Sequence, residues 1–222
     1  MKIIGYIHTD FPEKFGIPRQ SGLVPELRGC ITFLPEYRNP DAFKGLEGFN
    51  YIWLLWRFDV PKREGYSASV KPPRLGGNTP MGVFATRSPF RPNPIGLSSV
   101  RLERIEFTDD GPVLHVMGAD LRDGTAIYDI KPYLGYADSH EDAVDGFAAM
   151  APERSLNVDF PQELLDILPE EKRSAALAVL REDPRPSYQA DPDRRYGVSF
   201  AGYDIRFYVN GKNLRVVEVV KL

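Results

Sequence analysis

Between Arg87 and Pro94 the chain alternates polar, hydrogen-bonding side chains with rigid ones: Arg87, Ser88, Arg91 and Asn93 are interleaved with Pro89, Pro92 and Pro94. Each proline fixes its own φ and bars helix from the residue before it, so the segment is stiff rather than flexible. A stiff loop that presents guanidinium forks has the chemistry to hold a carboxylate or a phosphate. The surrounding charge strengthens that reading. From Gly65 to Leu102 there is no Asp or Glu, while Lys71, Arg74, Arg87, Arg91 and Arg101 are basic, in a chain whose net charge is -3. That places a local positive patch on an acidic protein. A plain Pro-rich connector with solvated arginines is the competing reading.

Other chemistries find little support. No Gly-x-Gly-x-x-Gly is present, and Gly76-Gly77 lacks the Lys-Ser/Thr of a phosphate loop, so a Rossmann or P-loop nucleotide site is not expected. His8, His115 and His140 show no metal-ligand spacing, and no metal is expected. Ser88, Ser98 and Ser99 stand in no Gly-x-Ser-x-Gly elbow. Cys30 is the only cysteine, so no disulfide forms within the chain; it reads as a small buried hydrophobe in a strand and suits a reducing compartment. What remains is a metal-free site built on Arg, Asn, Asp and backbone groups.

The elements that must position these residues are mostly strands. At 222 residues with 42% hydrophobic and 12% aromatic content, the chain buries a real core without disulfides. Strands are expected at residues 3–8, 30–34, 49–58, 98–107, 113–117 and 126–133, with Val83 and Phe84 opening another. The aromatic stretch 49–58 reads as a central strand buried on both faces. Asp109-Asp110-Gly111 reads as a hairpin turn, Asp123-Gly124 as a tight turn, and the apolar phase slips between Leu102 and Ile105 as at a bulge. A short helix is expected at 41–46, capped by Asn39 or Asp41. Strand following strand with few helices predicts a mainly β fold, an N-terminal closed or nearly closed β-barrel. Composition shifts after Leu134: residues 138–193 carry fourteen Asp/Glu against five Lys/Arg. Helices opening at Pro161 and Pro169, then strands at 196–200, 203–209 and 214–220 with an Asn210-Gly211 turn, predict a small α+β C-terminal domain at 158–222 after a barrel domain at 1–140. The N-terminus turns polar too early for a signal peptide, and the run from Tyr51 to Trp56 is too short to span a bilayer, so no membrane is expected and the protein reads as soluble and cytoplasmic. A sequence pI of about 5.7 argues against a general nucleic-acid coat protein, so any RNA contact must be local.

Lys71-Pro72-Pro73-Arg74-Leu75-Gly76-Gly77-Asn78, Met81 to Gly96, Asp123-Gly124-Thr125 and Asp129-Ile130-Lys131-Pro132-Tyr133-Leu134 together closely resemble the TsaA-like (TrmO) family. Residues 15–20 fit its N-terminal motif, and Asp183-Pro184-Arg185-Pro186-Ser187-Tyr188 matches its longer bacterial members, so the resemblance covers almost the whole chain. It implies an S-adenosyl-L-methionine-dependent methyltransferase on a non-Rossmann β-barrel, acting as a homodimer on tRNA. The reaction implied is methylation of the amino nitrogen of a threonylcarbamoyl-modified adenosine beside the anticodon.

By the same resemblance the cofactor site draws on Pro18, Arg19 and Gln20, on Phe58 and Asp59, on Arg87 and Leu97, and on the turn holding Asp120, Leu121, Asp123 and Gly124. The residue types suit it. Arg19 or Arg87 can take the cofactor carboxylate in a bidentate fork. Asp120 or Asp123 can bond the ribose or amino group or offset the sulfonium charge, and Leu97 and Leu121 offer apolar surface to the adenine. The chain departs from the family pattern of His-Gln at Asp59-Val60. Asp129 and Lys131 are candidates for handling the substrate proton, with a structural ion pair as the alternative. Lys71, Arg74, Arg91, Arg101 and Lys131 would hold the RNA, with Ser88, Arg91 and Asn93 positioning the substrate or bracing the loop; Arg185, Arg194, Arg195 and Tyr188 either add contacts or are solvated loop residues. Two other functions fit the residues: an RNA-binding barrel without chemistry, and a methyltransferase or hydrolase acting on a small molecule.

Overall fold

The computed structural model describes residues 1–59, 66–72, 75, 79–150, 155–185, 189 and 191–222. Six strands close into an antiparallel barrel in the order β1-β2-β7-β6-β3-β8. They are β1 (Gly5–Thr9), β2 (Arg28–Phe33), β3 (Tyr51–Arg57), β6 (Ile95–Thr108), β7 (Gly111–Met117) and β8 (Thr125–Pro132), with a two-stranded ribbon of β4 (Ser69–Val70) and β5 (Met81–Gly82) between β3 and β6. Each barrel strand turns alternate residues inward. Ile7, Ile31, Ile52, Leu54, Leu114 and Ile127 are fully buried in the lumen, and closure leaves the barrel no free edge.

That geometry corrects the expectation for the aromatic strand. β3 is buried on one face only: Ile52, Leu54 and Trp56 point inward, while Tyr51, Trp53 and Leu55 stand on the outer wall. A barrel strand has a lumen face and an outer face, and aromatics on the outer face do not imply a covering layer. Val83 and Phe84 are a second correction. They form a one-turn 3-10 segment, Val83–Ala85, directly after β5. The helix expected near residue 41 is also 3-10, Pro40–Phe43, and Asn39 is its cap, accepting the Asp41 N–H at 3.0 Å. The bulge stands where the apolar phase slips, with the β6–β7 register shifting between Leu102 and Arg104.

A second core forms around a four-stranded sheet, β10-β11-β12-β9. The strands are β9 (Asn157–Asp159), β10 (Tyr196–Phe200), β11 (Tyr203–Asn210) and β12 (Asn213–Lys221). After a single turn at α1 (Gly135–Asp138), the helices α2 (Gln162–Leu165) and α3 (Glu170–Arg181) belong to this part. Pro161 and Pro169 occupy the N-cap positions of α2 and α3, where the missing N–H costs nothing. The hairpin forms where Asn210-Gly211 signals it, but one position on: Asn210 pairs with Asn213, so the two turn residues are Gly211 and Lys212. The parallel strand β9 carries no alternation long enough to have been read. Phe11, Val24 and Leu27, from the loop after β1, are buried in this second core. No helix among the described residues is long and apolar enough to cross a membrane.

Candidate cofactor and substrate site

The registers place the candidate residues at one end of the barrel. Thr9 pairs with Gly29, Arg28 with Met117, Arg57 with Ile95 and Ile7 with Thr125. The loop 10–27, the end of β3 at Phe58 and Asp59, the proline loop before β6 and the turn 118–124 therefore all leave from the same rim. These segments are tied to one another. The Arg87 guanidinium donates to the Gln20 side-chain carbonyl. Arg122 pairs with Asp59 at 3.1 Å, and Lys14 donates to the Asp59 carbonyl. Phe58 N–H is bonded to the Pro94 carbonyl at 3.0 Å.

Asp120 is the acid at the centre of this arrangement. Trp56 Nε1–H donates to Ser98 Oγ at 3.0 Å, and the Ser98 hydroxyl donates to Asp120 Oδ1 at 2.6 Å. Burial pushes the Asp120 carboxyl above the ordinary aspartate range; the Ser98 hydroxyl, nearby backbone N–H groups including that of Ser21, and the Arg87 charge oppose the shift without cancelling it. Gly96 makes the relay possible. A Cβ there would lie 2.1 Å from the Trp56 ring, so only glycine lets the indole settle beside β6. The result is a desolvated carboxylate beside a guanidinium, with Leu97, 53% exposed, next to Ser98 on the outer face of β6.

The other candidates fall into place around it. Asp123 is spent on β1: its Oδ1 accepts the Thr9 N–H at 3.1 Å and lies 3.4 Å from His8 Nδ1. Gly124 has φ of +72°, as the tight turn requires. Leu121 is 1% exposed and belongs to the barrel core, so it offers the adenine no side-chain surface; only its carbonyl is used, by the Thr9 hydroxyl at 2.9 Å. Pro18 is buried, while Arg19 and Arg87 are exposed.

Asp129 and Lys131 are on the outer wall. Asp129 pairs across the strands with Leu55, and Leu55 with Leu97, so the acid lies two strands from the candidate adenine surface. Lys131 Nζ is 3.1 Å from Asp129 Oδ2, the ion pair foreseen as the alternative. Within the proline loop Arg91 donates to the Thr86 carbonyl at 3.1 Å, and Ser88 Oγ accepts the Phe90 N–H at 3.3 Å, so both brace the loop. Asn93, Lys71 and Arg101 are exposed. Arg74 and Tyr188 lie outside the described residues. Arg185 does not add a free cation: it is largely buried and forks onto Asp183 at 2.8 and 3.1 Å. Arg195 and Arg206 both pair with Glu218.

One juxtaposition was invisible in the sequence. His8, Cys30 and His115 are cross-strand neighbours on β1, β2 and β7. Among the described residues, however, no group of three His, Cys, Asp or Glu is placed to hold a metal ion. His115 instead bonds Glu106 at 2.8 Å.

A closed six-stranded antiparallel barrel with arginines and carboxylates at one rim, and no doubly wound sheet among the described residues, defines a non-Rossmann β-barrel. Residues 6–139 match the family model described as the tRNA-methyltransferase O N-terminal domain, and residues 153–222 match the TrmO C-terminal domain. The chain belongs to the TrmO family. It is 41% identical over 221 residues to the tRNA (adenine(37)-N6)-methyltransferase of Escherichia coli K12, covering 96% of this chain and 94% of that protein. A protein of the same name from Eikenella corrodens is 44% identical over 173 residues, covering 78% of this chain and 97% of its own. The crystal structure of TrmO from Pseudomonas aeruginosa superposes with a TM-score of 0.78 at 34% identity, covering 98% of this chain and 97% of the other.

Proposed function

We propose that the chain is an S-adenosyl-L-methionine-dependent methyltransferase of tRNA that modifies the amino nitrogen of threonylcarbamoyl-adenosine beside the anticodon. The observation that carries the reading is the gathering of Gln20, Arg87, Ser98 and Asp120 at one rim of a TrmO-type barrel. The cofactor supplies an electrophilic methyl group on a sulfonium. Arg87 and Arg19 are the partners for its carboxylate, and Asp120 is the anionic partner for its cationic groups, more favourably disposed than Asp123, whose carboxylate is occupied by β1. Leu97 is the apolar surface for the adenine. Rate in such a displacement comes mainly from in-line positioning of acceptor and donor. The acylated amine must lose a proton, and Asp129 and Lys131, 3.1 Å apart on the outer wall, are the candidates for handling it. Lys71, Arg91 and Arg101 lie within the acid-free stretch and suit RNA phosphates, though Arg91 is partly engaged in the loop. The proposal extends to a cytoplasmic homodimer, for which exposed Tyr51 and Tyr136 supply apolar surface.

The test is calorimetric titration with S-adenosyl-L-methionine of the wild type and of Arg87→Ala, followed by methyl transfer to tRNA with and without the threonylcarbamoyl group. Losing a charge-assisted bond weakens binding by about tenfold or more. Saturable binding lost in the variant, and transfer only to the modified tRNA, is the expected result. Binding equal in both proteins removes Arg87 from the site. Transfer to small acceptors in preference to tRNA overturns the substrate.

A further inference from the structure

Tyr66 and Phe84 stand outside both hydrophobic cores, 53% and 72% exposed, with ring centroids 6.4 Å apart and planes inclined by 31°. A phenylalanine this exposed beside a second aromatic ring is costly surface in water, and the local backbone holds it there firmly. β4 and β5 pair through Ser69 with Gly82 and Val70 with Met81. The Val83 N–H continues the ribbon to the Ala68 carbonyl at 3.0 Å. The turn at Val83–Ala85 is closed by Thr86, whose N–H and hydroxyl both donate to the Val83 carbonyl, at 3.2 and 2.9 Å. Val83 is buried and anchors the turn, so its neighbour Phe84 is carried outward on a fixed base. Three residues on stands Arg87, the cofactor candidate, and the whole stretch from Gly65 to Leu102 is free of acid.

Exposed aromatic rings on a basic, acid-free segment, one of them on a fixed turn, suit single-stranded nucleic acid: the rings stack on bases while cations follow the backbone. A base modified in an anticodon loop is unpaired, and reaching its amino nitrogen displaces its neighbours from their own stack. We propose that Tyr66 and Phe84 form a stacking platform for an unpaired loop base of the RNA substrate beside the one that is methylated. The inference rests on tRNA being the substrate.

The experiment measures binding of an anticodon stem-loop RNA carrying 2-aminopurine in its loop, alongside cofactor affinity, sedimentation and the dependence on salt. Phe84→Ala and Phe84→Leu weaken RNA binding by about tenfold and lose the fluorescence quench of the stacked base, while Phe84→Tyr and Tyr66→Trp retain both. Cofactor affinity stays at the wild-type value. Because stacking releases no counterions, the slope of log affinity against log salt is unchanged in the Phe84 variants, whereas Lys71→Ala lowers it by about one. RNA affinity within about twofold of wild type in Phe84→Ala, or full affinity in Phe84→Leu, overturns the platform. A change of sedimentation in Phe84→Ala with RNA binding intact assigns the rings to a contact between copies and overturns it too. Failure of the wild-type protein to bind the RNA overturns the tRNA reading itself and is told apart from these by that control.

Discussion

The ring of Phe11 packs on the ring of Phe200 with centroids 5.3 Å apart, while the backbone carbonyl of Phe11 accepts the Asp123 N–H at 2.8 Å. One residue thus joins the C-terminal sheet to the candidate cofactor turn. Its neighbour Asp10 repeats the connection: its carbonyl accepts the Ala201 N–H at 2.8 Å, and its carboxylate binds Lys172 of α3 at 2.7 and 2.8 Å. The loop that carries Pro18, Arg19 and Gln20 is therefore seated on the second core.

Breaking that seat is expected to weaken cofactor binding from a distance. Lys172→Met leaves the half-buried Asp10 carboxylate unpaired, which costs about 1.5–3 kcal/mol. Urea unfolding reads the stability loss and calorimetry reads the affinity for S-adenosyl-L-methionine. Lys172→Arg restores both; unchanged affinity in Lys172→Met disconnects the second core from the site.

Gly96→Ala drives a methyl group into the Trp56 ring. Overpacking of this kind costs about 1–3 kcal/mol, and displacing Trp56 breaks the relay through Ser98 to Asp120. Gly124→Ala meets no atom within 4 Å and is strained only by its φ of +72°, so it costs about 1 kcal/mol. Denaturant melts of the two variants side by side check the order; a Gly96→Ala protein as stable as the wild type would refute the packing argument.

The Asp120 carboxyl has a folded-state pKa above its unfolded value. The folded protein therefore holds this proton more tightly, and the stability it contributes is full below the unfolded pKa of 3.8 and lost as pH rises through the folded value. Binding of a cationic ligand follows the opposite sense, because it needs the ionised form. Cofactor affinity is expected to fall as pH drops through the region above 3.8, with proton release on binding, and Asp120→Asn to flatten the profile. Calorimetry in buffers of different ionisation enthalpy measures the protons directly.

Cys30 is expected to react slowly with iodoacetamide near neutral pH. Burial pushes its thiol pKa up, and the charges of Asp123 and Glu106 push the same way, so little thiolate forms. Alkylation as fast as that of free cysteine would contradict this environment.

Most of the barrel was legible because its signals are local. The turn at Asp109-Asp110-Gly111, the phase slip after Leu102 and the alternation in β7 each lie within a few residues. Orientation was less legible. A run such as Tyr51 to Arg57 is apolar whether one face or both are covered, and only closure of the barrel decides it. The direction of the Leu121 side chain was hidden for a related reason: a leucine in a turn gives no sign of which way it points, and this one turns into the barrel core. The bond from Arg87 to Gln20 spans sixty-seven residues and the pair Lys172–Asp10 spans 162, and no periodicity reports contacts at that range. Arg185 had the appearance of a free basic group, because the Asp two positions earlier becomes its partner only through a backbone that puts Asp183 at φ of 49°.

The pairing of Arg185, Arg195 and Arg206 with acids has an electrical consequence. Those three guanidinium groups are already neutralised, while residues 65–102 carry Lys71, Arg74, Arg87, Arg91 and Arg101 and no acid, against fourteen Asp/Glu and five Lys/Arg in residues 138–193. For the RNA proposed as substrate, that division would favour encounter at the proline loop over the acidic stretch. Orientation of the encounter is then a property of where the acids are, as much as of where the arginines are.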